Sequence, residues 1–360
     1  MVVLTIFPEY FCKSMGESFI TSLIFIVIIL SALVLDLGLL SGESATKPTF
    51  KQSALRSAGW FGLGLLSVLG VYYFSPQLHA IHDFSGLQKY TSVHGNSFTI
   101  TNDLEQSMHN FQTASALAYL SGFLLEYALS IDNLFVMLLI FKSFKVEEKH
   151  ERKILVWGVL GAMILRFIFV YLGSAAIQQF HWVLYVFGAF LMFSGIKMLM
   201  HQEDEELDTE NHFVMRWVKK IMPVTNVSTD RGNFFIKENG KWHATILFVV
   251  LIIIELTDVV FAVDSVPAVF GVTTDPYLVF FSNIFALLGL RSLYFLIGYG
   301  IDKFYALKYG LSIILVYIGL KMLLEDYFHK LGFSHFHNLI IIVGILAASI
   351  FFSIIRPKEH

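Results

Sequence analysis

A single cysteine, Cys12, stands in 360 residues. That excludes an internal disulfide, a thiolate metal cluster and a dithiol redox couple. Charge is scarce too: 15% of the side chains are charged, where a water-soluble globule carries about a quarter. Lys and Arg number 25 against 28 Asp and Glu, a net charge of −3, so no basic surplus exists to bind nucleic acid. A phosphate-binding glycine loop is missing, which argues against an ATP-driven pump; the 25 glycines are spread through apolar segments, where close helix packing explains them. The apolar segments hold neither a nucleophile beside a base nor a histidine metal site, so an enzyme is not expected, nor is a permanently bound cofactor.

What is abundant is apolar surface, at 56% hydrophobic residues and a mean hydropathy of +0.67. Apolar segments fall at 19–41, 57–75, 114–141, 154–174, 181–200, 244–272, 278–300, 305–325 and 338–355, each near the ~20 residues that cross a bilayer. The expectation is an all-α polytopic membrane protein of nine transmembrane helices, with the lipid bilayer as its solvent. Met1–Gly16 lacks the basic start of a cleaved signal, and Phe19–Leu40 is long enough to span, so it counts as the first helix. Basic residues stay on the cytoplasmic side. Lys47, Lys51 and Arg56, then Lys142 to Lys153, then Lys303 and Lys308, place the amino end outside and Arg356-Pro-Lys358 in the cytoplasm. The expected setting is a bacterial inner membrane. Two polar stretches connect the spans: Pro76–Gln112, outside, and His201–His243, cytoplasmic, whose acidic Glu203–Glu206 run reads as a solvated face. Neither needs a core of its own. The histidines of the outer stretches, among them His79, His82, His94 and His109, read as loop residues ahead of a metal-capturing vestibule.

An internal repeat organises the middle of the chain. Gly195-Ile-Lys-Met-Leu199 matches Gly319-Leu-Lys-Met-Leu323, Phe180 falls near Phe304, and Arg166 aligns with Arg291. With a short gap, Glu126 matches Asp258, and Asp132-Asn133 matches Asp264-Ser265. Each repeat holds three helices, and an odd number of spans makes the halves inverted, as in many secondary transporters. The organisation is therefore 1–112 for two amino-terminal helices and an outer loop, 113–200 for the first repeat, 201–243 for a cytoplasmic loop, 244–326 for the second repeat, and 327–360 for a ninth helix and tail.

Five acids lie inside the repeats: Glu126 and Asp132 in one, Glu255, Asp258 and Asp264 in the other. An ionised carboxylate at the bilayer centre costs roughly 2.5–3.5 kcal/mol, so such residues face the bundle interior and serve a purpose. Arg166 and Arg291 compensate part of the charge; the surplus is held by a cation or by protons. Asn133, Ser130, Ser265, Thr257 and Asn283 add neutral oxygens. An all-oxygen set suits Mg²⁺, Ca²⁺ or Mn²⁺ rather than Zn²⁺ or Cu⁺. Pro267 removes the bond to the Val263 carbonyl, so a broken or kinked helix is expected at Asp264. The metal-site candidates are Glu126, Asp132, Asn133, Glu255, Asp258, Asp264 and Ser265, with Arg166 and Arg291 compensating.

The segments Leu125-Glu-Tyr-Ala-Leu-Ser-Ile-Asp-Asn133, Glu255-Leu-Thr-Asp-Val-Val-Phe-Ala-Val-Asp-Ser-Val-Pro267, Thr273-Thr-Asp-Pro276 and Gly289-Leu-Arg-Ser-Leu-Tyr294 resemble the TerC family, its Alx branch in particular. The resemblance implies a transporter of the LysE-like superfamily, with Mn²⁺ export as the activity and tellurium resistance as the historical label. It carries the acidic motifs onto the residues just named. It also implies an alternative, a scaffold or assembly factor for other membrane or secreted proteins. Nothing in the residues suits tellurite, which asks for thiols. Divalent metal, Mn²⁺ before Ca²⁺ or Mg²⁺, is the expected cargo, with proton antiport as the expected coupling.

Overall fold

A computed structural model describes residues 17–36, 48–95, 98–180, 182–200, 216–218, 220, 223–225, 232–238, 240–299, 306–324, 327–328 and 333–355. Cys12, Lys47, the Glu203–Glu206 run, Lys303, Phe304 and Arg356–Lys358 lie outside them.

Eleven helices are described: α1 Glu17–Asp36, α2 Phe50–Leu78, α3 Phe84–His94, α4 Leu104–Ser143, α5 Glu148–Gln179, α6 Trp182–Met200, α7 Ile246–Phe270, α8 Pro276–Leu287, α9 Leu290–Gly298, α10 Leu307–Leu323 and α11 His335–Ile355. Six are long and apolar enough to cross a membrane, or seven if the bent pair α8–α9 is one span. Helices outrun their apolar segments where polar caps carry them on. Thr49 accepts from the Gln52 amide while the Gln52 side chain accepts from the Thr49 amide, and Asp103 starts α4 ten residues ahead of its apolar stretch by accepting from Glu105. At 1.5 Å per residue α4 is about 60 Å long, roughly twice the hydrocarbon core. It is also the hub: 56% of its most apolar window is buried, against 22% for α6. Leu65, Leu66, Leu69 and Phe74 of α2, and Phe193 of α6, point outward instead, as lipid-facing residues do.

The stretch before α7 holds a small sheet that the sequence does not announce. Strands β1 Val224–Thr225, β2 Phe235–Glu238 and β3 Lys241–Thr245 order as β1-β3-β2, parallel then antiparallel. Lys153 of α5 fastens this end by donating to the Gly232 carbonyl at 2.9 Å while lying 5.0 Å over the Phe234 ring.

Small residues set the closest helix crossing. A β-carbon on Gly188 of α6 would stand 2.9 Å from the Gly319 carbonyl of α10, one on Gly319 would stand 2.5 Å from the Gly188 carbonyl, and one on Gly195 would stand 2.8 Å from the Ser312 carbonyl. Backbone meets backbone there, as small residues permit in lipid.

The break expected at Asp264 falls elsewhere. α7 continues through Pro267 to Phe270 as one helix. The chain bends by 44° between α8 and α9, at Gly289, whose φ is +83°. A β-carbon there would also lie 2.5 Å from the Trp60 β-carbon of α2. Pro267 lies in the last turn of α7 and forgoes one hydrogen bond there, whereas a left-handed residue interrupts a helix. Gly289→Ala should therefore destabilise the protein by at least about 2 kcal/mol, from the left-handed penalty and the clash together, whereas Pro267→Ala should leave the unfolding free energy in detergent within about 1 kcal/mol of wild type.

Candidate functional site

Glycines bring four helices together around one charge. Gly122 of α4 lets Ser282 of α8 approach, where a β-carbon would stand 2.9 Å from its hydroxyl. One turn on from Gly122 is Glu126, and next to Ser282 is Asn283. On α5, Gly158 admits Ile254 of α7 at 3.4 Å, and the Glu255 carboxylate occupies the space a side chain at Gly161 would need. The acid stays half-buried on the α5–α7 seam.

Arg166 of α5, fully buried, projects into the space so formed. It pairs with Glu126 of α4, lies with Nη2 3.7 Å from Asp258 Oδ1 of α7, and donates from Nη1 to Asn283 Oδ1 of α8 at 3.0 Å. Asn283 is turned for this by its own amide, which donates to the Val279 carbonyl at 2.8 Å. One guanidinium against two carboxylates leaves the cluster one charge negative. Its hydrogen bonding is incomplete on both sides: Glu126 Oε2 and Asp258 Oδ2 are buried without a hydrogen-bond partner, and so are Nε and Nη2 of Arg166; the same holds for Ser130 Oγ on α4 and Ser265 Oγ on α7. Buried oxygens of that kind are exceptional in folded proteins and ask for a ligand or a proton.

Of the other candidates, Asn133 is buried and Asp132 half-buried on α4, and Asp264 accepts from Ser194 of α6 at 2.9 Å. Thr257 returns its hydroxyl to the Ile253 carbonyl. Arg291 is no counterpart of Arg166 in space: it lies beyond the Gly289 break, donates to the Asp36 carbonyl of α1, and lines a small cavity with Arg56 and Arg152. Among the described residues no three His, Cys, Asp or Glu side chains converge closely enough to hold a metal ion. Sequence reasoning passed over Gly122, Gly158 and Gly161, although their spacing beside the acids was the available signal.

Since a guanidinium cannot shed its charge, removing it leaves acids buried and unpaired. Arg166→Met should cost about 3–5 kcal/mol in detergent unfolding. Adding Glu126→Gln should restore part of that loss. Equal stability of Arg166→Met and wild type would show that the acids are neutral without the arginine.

Residues 111–360 match the model of the Integral membrane protein TerC family. A protein of Escherichia coli K12 that carries the provisional name membrane-bound redox modulator Alx is 41% identical over 307 residues, 85% of this chain and 86% of its own. Its namesake in Photorhabdus laumondii is 40% identical over 306 residues, with the same shares covered. An uncharacterized membrane protein of Myxococcus xanthus is 36% identical over 336 residues, 93% of this chain and 92% of its own. No solved structure matches the chain. On the family match and on these relatives, the chain belongs to the TerC family of integral membrane proteins.

Proposed function

We propose that the protein exports a divalent metal ion, Mn²⁺ first among the candidates, through the four-helix junction of α4, α5, α7 and α8. The observation that carries the reading is the convergence of two buried carboxylates, Glu126 and Asp258, on one guanidinium, Arg166. With the Asn283 amide, and with Ser130 and Ser265 on the same helices, they offer an all-oxygen set of the kind hard cations take. Arg166 holds these acids while the carrier is empty. The ion replaces it as Arg166 withdraws, and the two acids then balance a divalent charge without a residue. Protons compete with metal for the same carboxylates, which makes antiport the natural coupling. Glu255, parked against Gly161 one turn before Asp258, is placed to hold a proton or to pass the ion along α7. Asp132 and Asp264 belong to steps that need a different arrangement of the helices.

An inverted repeat and nine spans are part of this reading. The offset of 124 residues that matches Gly195 to Gly319 also matches Gly188 to Ser312. The Gly188–Gly319 contact therefore has the Gly195–Ser312 contact as its repeat-related partner, the pattern that a two-fold axis between α6 and α10 generates. α1 and the 17-residue α10 count as spans in this scheme, with the amino end outside and the carboxyl end in the cytoplasm of a bacterial inner membrane. The redox role in the relatives' name finds no dithiol in this chain, whose one cysteine is Cys12.

The test is flux in proteoliposomes. Wild type should move Mn²⁺ across the bilayer and drive a counterflow of protons that a trapped pH dye reports. Asp258→Asn and Glu126→Gln should each lower the rate by at least tenfold while reconstituting normally. Absence of metal flux from properly oriented wild-type vesicles would leave the scaffold reading in its place.

A further inference from the structure

A second buried charge cluster lies at the end of the bundle where α2, α3 and α8 meet, outside the machinery proposed for transport. Asp275, the N-cap of α8, is fully buried. Its Oδ1 accepts from the Tyr277 amide at 2.9 Å. Its Oδ2 accepts from the Tyr90 hydroxyl of α3 at 2.8 Å and lies 2.7 Å from Nε2 of His79, the C-cap of α2. The other ring nitrogen of His79, Nδ1, lies 2.8 Å from the Ser75 carbonyl. Both neighbours of the ring are acceptors that have no proton to give. A neutral imidazole has one N–H, and its bare nitrogen would then face an oxygen lone pair. These two short approaches suit the doubly protonated ring, a buried cation stacked edge-on among Tyr90, Phe111 and Tyr277 at 5.1–5.8 Å.

We infer that the C-terminus of α2 is clasped to the N-terminus of α8 by His79⁺ and Asp275, that α3 is held on this clasp through the Tyr90 hydroxyl, and that the clasp loosens when His79 loses a proton. α3 packs through a small apolar cluster of Ile81, Leu87, Tyr90 and Phe111, with Phe98, Leu104 and Met108 against it, and at its far end the Thr274 hydroxyl donates to the His94 carbonyl at 3.2 Å. Deprotonation removes the ion pair and sets a lone pair against an oxygen, while Asp275 keeps a charge that the Tyr90 hydroxyl and the Tyr277 amide must then balance.

The groups facing the cluster leave His79 as its titrating member near neutrality. Burial opposes the His79 charge, but the Asp275 carboxylate and the Ser75 carbonyl outweigh it and raise its pKa above the ordinary 6.5. Burial works against the Asp275 charge as well, and His79, His94 and Tyr90 together hold that carboxyl well below the usual range. On α3, burial and Asp275 drive Tyr90 well above its ordinary value, and burial lowers His94 below its own against the pull of Asp275. α8 adds Tyr277. α4 presents the Phe111 ring, while its His109 is turned to the Tyr72 hydroxyl of α2. For a group whose pKa rises on pairing, the stabilisation is complete below the unpaired value and fades as pH climbs through the paired one. The clasp is closed in acid and opens in alkali.

Amide hydrogen exchange of the full chain in lipid nanodiscs tests this between pH 6 and 9. Protection of residues 84–94, corrected for the intrinsic pH dependence of exchange, should fall by up to about tenfold per unit above 6.5 and then level off. Thr274→Val should lower protection at every pH and keep the slope; His79→Gln should lower it and abolish the slope. A flat wild-type profile, or an unchanged slope in His79→Gln, overturns the clasp. Should His79→Gln fail to insert, ¹⁵N-histidine spectra of wild type decide. His79 must carry two protons at pH 6 and lose one over the interval in which α3 becomes exposed; a neutral ring at pH 6 overturns the inference. None of these readouts involves metal flux, so the clasp and the transport reading stand or fall separately.

Discussion

A guanidinium sealed inside a membrane bundle cannot lose its charge, and that constraint organises the protein's centre. Arg166 needs acceptors wherever it points, and each neighbouring helix supplies one: Glu126 from α4, Asp258 from α7 and Asn283 from α8. Displacing any one of these helices would leave the cation short of a partner in a medium of low dielectric. The glycines follow from the same need. A side chain at Gly122 would press on Ser282 and Val269, and one at Gly161 would take the space of the Glu255 carboxylate, so the small residues let the carboxylates sit close across the seams. Charge here sets position, and small residues make the position reachable.

α8 links this centre to the clasp at its own N-terminus. From Asp275 to Asn283 is eight residues, about 12 Å of helix. The segment is bounded at one end by a cap that also carries the ion pair to His79, and at the other by the Gly289 bend. A helix pinned at its cap and hinged at its other end can tilt but has little scope to slide. Asn283 sits within that pinned stretch, so the orientation of the amide toward Arg166 depends on how firmly the cap end is held.

How much of this was legible in the sequence follows from what periodicity encodes. Apolar length located the helices, because the bilayer imposes it, and the intramembrane acids stood out because their cost is large. Depth and neighbours are another matter. Arg166 and Arg291 align by sequence, yet Arg291 follows a left-handed glycine and ends beside Arg56 and Arg152. Pro267 carried a strong local signal for a break and Gly289 a weak one, but a φ of +83° is forced by tertiary packing against Trp60, which no local pattern records. The His79–Asp275 pair spans nearly two hundred residues, and the histidine stood in a stretch that looked like an outer loop. The β1-β3-β2 sheet escaped notice because its strands are two to five residues long, too short for alternation to show.

Finding one arginine rather than two at the centre changes the charge arithmetic of any cargo. Two carboxylates and Arg166 sum to −1. A divalent ion added beside a stationary Arg166 would bring the cluster to +1, an uncompensated cation at low dielectric. An ion that takes the place of Arg166 brings it to zero. The second course costs less in the membrane, provided that the withdrawn guanidinium finds oxygen elsewhere. Glu255 lies on the same seam as Arg166, one turn from Asp258 and half-buried against Gly161, so the acceptor a displaced guanidinium requires is already in place. Under the proposed export the third acid would serve the arginine as much as the ion, and a preference for divalent charge would arise from the exchange of one cation for another rather than from a preformed cage.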